Sequence, residues 1–151
     1  GQLEQALKDK NIAFIQLIQA VMILAASGTL AAVQDEALIA KARKHTDRLN
    51  ACLMERARGS ADVSFLASPV TGSGVVVNRF EQLFMLAQSQ GKKTPAEWAQ
   101  FTFQILAAQG QKIVKEGTTL ETADENLAEL NLQATAFATK QLPIMKALQV
   151  I

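Results

Sequence analysis

His45 is the only histidine and Cys52 the only cysteine in the chain, so any metal or nucleophile chemistry that needs an imidazole or a thiol must pass through them. They stand seven residues apart, which on a regular helix separates them by roughly 10.5 Å along the axis. A single regular helix cannot bring both to one ion. A di-iron bundle requires two Glu-x-x-His pairs with further carboxylates, and the residue three before His45 is Ala42. That chemistry is excluded, which leaves a site completed by one of the two with residues elsewhere. The bland reading is adopted instead: a histidine at the edge of an apolar face and a small buried thiol. A lone cysteine also rules out an intrachain disulfide.

A Ser-His-Asp or Cys-His device would again depend on His45. The serines fall in turns, and no Gly-x-Ser-x-Gly elbow occurs. Gly72-Ser73-Gly74 lacks the third glycine of a dinucleotide fingerprint and follows no strand–helix alternation, so it reads as an ordinary turn. Asp124, Glu125 and Glu129 form an acidic group, but in the first turns of a helix such charge complements the macrodipole. No catalytic residue, cofactor site or metal ligand is assigned, and the chain is read as a non-enzyme.

What the charges do offer is segregation. Lys41, Lys44 and Arg48 align at i, i+3 and i+7 with Arg43 beside them, while Glu116 to Glu129 holds five acids and no base. If the two segments are neighbours, their pairing sets register and contributes under about 1 kcal/mol per exposed pair. If they are not, Lys41, Lys44, Arg48, Asp124, Glu125 and Glu129 are candidate partner surfaces. A separate candidate is a ligand cavity near Trp98, Phe101 and Phe137, or under the segment from Val63 to Val77.

These residues must be positioned by helices. Leu120, Ala123, Leu127, Leu130, Ala134, Phe137, Gln141, Ile144 and Leu148 step by three and four, the a/d pattern of a helix lying along other helices. Pro143 removes the bond to the carbonyl of Thr139, so a kink is expected there. A first helix is expected over Leu3 to Ala26, with Leu3, Leu7, Phe14 and Leu17 on one face and Glu4, Lys8 and Asn11 opposite. No charged residue occurs from Ile12 to Val33, yet Gln16, Gln19 and Ser27-Gly28-Thr29 interrupt the run. It is read as a nearly all-round-buried bundle helix rather than a membrane span. Gly28 is expected to end it and Thr29 to cap a second helix, Leu30 to Arg58. Leu38, Ala42, His45, Leu49, Cys52 and Leu53 are expected on the inward face of that helix.

Gly59 to Gly74 reads as an ordered loop, with one helical turn at most. Asn78 with Glu81 and Thr94-Pro95-Ala96-Glu97 have capping-box spacing and start two helices. Gly91 stops the first. In the second, Gly110 is an internal weakness and Gly117 the end. Thr118 with Glu121 and Thr122 with Glu125 are alternative starts for the last helix.

Glu129-Leu130-Asn131-Leu132-Gln133-Ala134 resembles the Glu-Leu-Asn-Leu-Gln segment of phasins, helical granule-coating proteins. It spans six of 151 residues, and no function is carried over from it.

At 151 residues and 49% hydrophobic content, the chain is expected to be one domain, residues 1–151. The fold class is all-α, an up-and-down bundle of four principal helices plus a shorter helix or ordered loop. A net charge of +1 gives no electrostatic case for nucleic acid. The expected function is a non-enzymatic helical interaction module with a protein partner or a second copy. The alternative is a bundle binding a small apolar ligand or lipid between its helices. The start at Gly1-Gln2 with no Met reads as a processed or excised end, which leads to the expectation of an extracytoplasmic part of a sensor, secretion or envelope assembly, not itself spanning the membrane.

Overall fold

The structure, a computed structural model, describes residues 2–7, 10 and 12–151, with side chains from residue 5 onward. Among these described residues it is 61% helix, with two small two-stranded sheets. The chain divides into two compact units, Gly1–Val33 and Gln34–Ile151.

The first unit holds α1, Gln2–Leu7, and α2, Phe14–Ala26. The single helix expected from Leu3 to Ala26 is therefore interrupted: Ile12 and Ala13 are not helical. Ala13 is extended and its N–H donates to Gln16 Oε1 at 2.9 Å, so Gln16 closes half a capping box. The expected facing of Leu3, Glu4, Lys8 and Asn11 lies outside the described residues. Gly28 ends α2 as anticipated. At φ 74° it lets its own N–H reach Ala25 O and that of Thr29 reach Leu24 O, the paired bonds of a Schellman motif. Thr29 does not cap the next helix, which begins only at Glu36 with Asp35 in the N-cap position; its hydroxyl instead lies 2.9 Å from Ser27 Oγ. The larger correction concerns burial. No residue of α2 is buried; its apolar side chains radiate on every side, and a unit of two short helices has too little surface to cover them.

The second unit opens with α3, Glu36–Arg56, six residues later than expected at its start. Next come strands β1, Phe65–Ser68, and β2, Ser73–Val76, antiparallel with Leu66 opposite Val75 and Ser68 opposite Ser73. This hairpin replaces the expected loop. Its alternation is the reason: Leu66 and Ser68 are buried while Phe65 and Val76 face outward. Helix α4, Arg79–Ser89, and α5, Pro95–Ala108, start at Asn78 and Thr94 with both halves of each capping box formed. Gly91 ends α4. Gly110 ends α5 in the same way, at φ 63° with its N–H on Ala107 O and that of Gln111 on Leu106 O. Gly110 is thus a stop rather than an internal weakness. Gly117 instead forms, with Glu116, the turn of a second hairpin, β3 Val114–Lys115 and β4 Thr118–Thr119. Both turn residues have positive φ, 50° and 81°, as a tight two-residue hairpin requires.

Of the two alternative starts for the last helix, Thr122 with Glu125 is used, giving α6, Ala123–Ala136. A π turn, Phe137–Gln141, then leads into α7, Leu142–Ala147. The extra residue of the π turn shifts the expected seam by one position. Leu130, Ala134 and Phe137 are buried, but beyond the turn Leu142 and Met145 take the inward places expected for Gln141 and Ile144, which are exposed. The turn absorbs what Pro143 would otherwise have imposed as a sharp break.

The core gathers around α4, where Gln82 to Ala87 are buried without interruption. Helix α4 packs on α3 and α5, and α5 on α6. Phe137 stands between Phe84, 5.9 Å away, and Trp98, edge-on at 6.3 Å.

Candidate functional site

Helix α3 carries both an inward face and an open one. Asn50, Met54 and Ala57 at its C-terminal end are buried, with Ile39, Ala42, Thr46 and Leu53 half-buried. The inward face is therefore rotated from the expected one: Leu38, His45, Leu49 and Cys52 are exposed, and only Ala42 and Leu53 are partly covered. The packing partners explain the rotation. Helix α3 lies on α4 and β1, and Asn50, not an apolar residue, sets its register.

Asn50 behaves as a substitute strand. Its Oδ1 accepts from Ala67 N–H at 2.7 Å, and its Nδ2 donates to Ala67 O at 2.8 Å and Val150 O at 2.9 Å. The outer edge of β1 is thus paired by a side chain, and the chain's C-terminal end is tied to it. Ser68 Oγ adds a bond to Leu148 O at 2.7 Å. Gln82 holds the base of the same hairpin by donating to Val63 O at 2.7 Å and Val77 O at 2.9 Å. Asn126 plays the same part for the second hairpin, with Ile113 N–H, Leu120 O and Thr122 O. Sequence reasoning missed these three amides. Their signal was present, since each occupies a core-phase position of an amphipathic helix, where an amide needs backbone partners.

The fixed hairpin and the open face of α3 enclose a groove of about 720 Å³. Leu38, Lys41, Ala42, His45 and Thr46 form one wall, and Ala67, Pro69, Gly72 and Gly74 form the other. It lies under the segment from Val63 to Val77, the second of the two places considered for a cavity. Gly72, at φ 66°, sits in the left-handed region that strains any other side chain, and a Cβ there would stand 2.5 Å from the end of the Gln34 side chain, which would have to shift. Among the described residues no three His, Cys, Asp or Glu side chains come together as ligands for an ion.

Lys41, Lys44 and Arg48 project from α3, and among the described residues no acid pairs with them. Their neighbour Arg43 is engaged, by Asp47 at 2.8 Å and Gln149 Oε1 at 3.1 Å. The acidic segment is used elsewhere. Glu129 accepts from Gln133 and from Lys115, which hold its carboxyl below the ordinary carboxylate range, and the Glu129 bond in turn raises Lys115. Glu125 is lowered by the backbone N–H of Thr122, which it caps. Glu121 pairs with Lys112. Asp124 is exposed. The basic and acidic faces are therefore not brought together; Lys115 of the second hairpin and Lys112 just before it meet Glu129 and Glu121 instead.

Among the described residues, Trp98, Phe101 and Phe137 share no cleft. Trp98 and Phe137 fill core space against each other, and Trp98 Nε1 donates to Lys92 O at 3.0 Å. Phe137 borders a cleft of about 210 Å³ with Glu81 and Lys140. Phe101 borders another, of about 110 Å³, and lies 5.1 Å beneath the Arg58 guanidinium.

No protein-family profile and no solved structure matches the chain. It is 38% identical over 148 residues to sll1526, an uncharacterized protein of Synechocystis sp. (strain ATCC 27184 / PCC 6803 / Kazusa). The similarity takes in 98% of this chain and 28% of that protein, so the chain spans little more than a quarter of the length of the relative it matches.

Proposed function

We propose that the chain is a non-enzymatic helical interaction module acting through apolar surface that the first unit leaves uncovered. One observation carries the reading: Phe14, Ile15, Met22 and Ile23 of α2 are each more than half exposed. Several large apolar side chains exposed together on one short helix mark an interaction site. At 13 residues α2 is too short for a span, and no helix among the described residues is long and apolar enough to cross a membrane. The up-and-down arrangement of four principal helices belongs to the same reading. The successive packing of α3 on α4, α4 on α5 and α5 on α6 supports it.

The test compares the chain with a variant carrying Phe14→Gln, Ile15→Gln, Met22→Gln and Ile23→Gln. Sedimentation velocity and binding of a hydrophobic dye are measured on both. The reading expects the parent chain to self-associate or bind dye, and the variant to lose both while keeping its helical circular dichroism. A parent chain that is monomeric and free of dye removes the support. A second reading, a binder of a small apolar ligand, is favoured by the groove beside α3, whose volume falls in the range of ligand pockets. Native mass spectrometry of freshly purified protein tests it: the reading requires a retained small molecule, and bare protein counts against it.

A further inference from the structure

The open face of α3 repeats with the period of a helix seam. Leu38, Ala42, His45, Leu49 and Cys52 step by four, three, four and three, and fall at successive d and a positions of a heptad. Leu38 and Leu49 are each 50% exposed. From Leu38 to Cys52 the seam is about 21 Å long, which matches a partner helix of two to three heptads. In the same heptad frame Lys41 and Arg48 both occupy g, the position whose charge selects a partner helix. Both are exposed, and no acid among the described residues neutralises them. The small residues Ala67 and Gly74 across the groove leave room for side chains entering from above the seam.

We infer that this seam receives a partner helix with apolar a and d residues and acidic flanking positions. The inference rests on the interaction-module reading and gives it a second surface, on a different element from α2. Charge decides the occupant. An acidic helix pairs with Lys41 and Arg48, whereas a basic one meets two like charges at the positions that fix register. The heptad spacing favours a helix over a compact ligand, because Leu49 and Cys52 continue the seam past the groove walls.

The probe is a synthetic amphipathic peptide of three heptads (about 21 residues), with Leu at a and d and Glu at e and g. A second peptide carries Lys at e and g. Binding is followed by fluorescence anisotropy, and by the rate at which the exposed thiol of Cys52 reacts with a disulfide reagent. The acidic peptide is expected to bind and to slow the thiol reaction, and the basic one to bind at least about tenfold more weakly. Leu38→Gln with Leu49→Gln should weaken the acidic peptide by a similar factor. Lys41→Glu with Arg48→Glu should reverse the preference between the peptides, a swap that mere unfolding cannot produce.

Equal binding of both peptides, or indifference to the seam substitutions, overturns the inference. So does a dimer of the chain that Leu38→Gln with Leu49→Gln dissolves, since the occupant is then a second copy. A retained small molecule released by the same substitutions overturns it in favour of a groove ligand. The α2 variant separates the two levels. If α2 substitutions abolish peptide binding and seam substitutions do not, the module reading stands and the α3 site falls.

Discussion

Helices α2 and α4 are of similar length, 13 and 11 residues, and both are rich in apolar side chains, but only one is covered. Helix α4 has Gln82 to Ala87 buried in succession, with α3 on one side and α5 on another. In α2, Gln16 and Gln19 are the only polar residues, yet none of its residues is buried. Apolar composition therefore does not distinguish a covered helix from an uncovered one. What distinguishes them is the supply of partners. Around α4 even the irregular segments are tied down, since Gln82 holds the base of the first hairpin with two backbone bonds. A buried helix must satisfy nearby backbone as well as fill space.

The largest effects should come from breaking α4. Phe84→Ala removes a ring packed on Phe137 and should cost about 3–5 kcal/mol in urea melts. Ile15→Ser or Met22→Ser in α2 should change stability by no more than about 0.5 kcal/mol. Comparable losses from both helices would erase the distinction.

The register beyond the π turn offers the same contrast within one segment. Met145→Ala should cost about 2–5 kcal/mol, and its neighbour Ile144→Ala, half exposed, under about 1 kcal/mol. Reversed magnitudes would restore the uninterrupted heptad. Asn50→Ala should cost about 2–3 kcal/mol, because it strands Ala67 N–H and the carbonyls of Ala67 and Val150. Hydrogen exchange should speed most at the Ala67 amide.

The smallest effect sits on the surface. The Arg56 guanidinium beside Asp62 holds that carboxyl at about 2, against an ordinary 3.8. The pair's contribution is therefore complete above the ordinary value and is lost as pH falls through about 2. Both groups are solvent-exposed, so the change in stability should be slight. A carboxyl-detected NMR titration should place the Asp62 midpoint low in the parent and nearer the ordinary value in Arg56→Gln.

How much of this was legible in the sequence follows from the range of the interactions. The caps at Asn78, Thr94 and Thr122 were readable because donor and acceptor lie three residues apart. Gly91 was readable for the same reason. Gly110 and Gly117 have the same chemistry, and their different roles depend on whether the chain next pairs with itself, as it does between Val114 and Thr119. The hairpin of β1 and β2 depends on Asn50 and Gln82, residues 17 and 19 positions from their backbone partners Ala67 and Val63. Burial of α2 was misread because absence of charge shows only that a surface avoids water, not what covers it. Of the candidate site, the basic run on α3 was visible as a pattern. The groove was only anticipated as one of two places, since its second wall is a hairpin that the local sequence did not announce.

The central claim, that the first unit leaves the apolar surface of α2 uncovered while the second unit's core is closed, is tested most directly by the methionines. The chain has four: Met22 is 65% exposed on α2, whereas Met54, Met85 and Met145 are buried. Peroxide oxidation is followed by peptide mass spectrometry at a dilution where sedimentation shows a monomer. Met22 should be converted to the sulfoxide well before the other three. Oxidation of Met22 as slow as that of Met85 in the monomer would contradict the account.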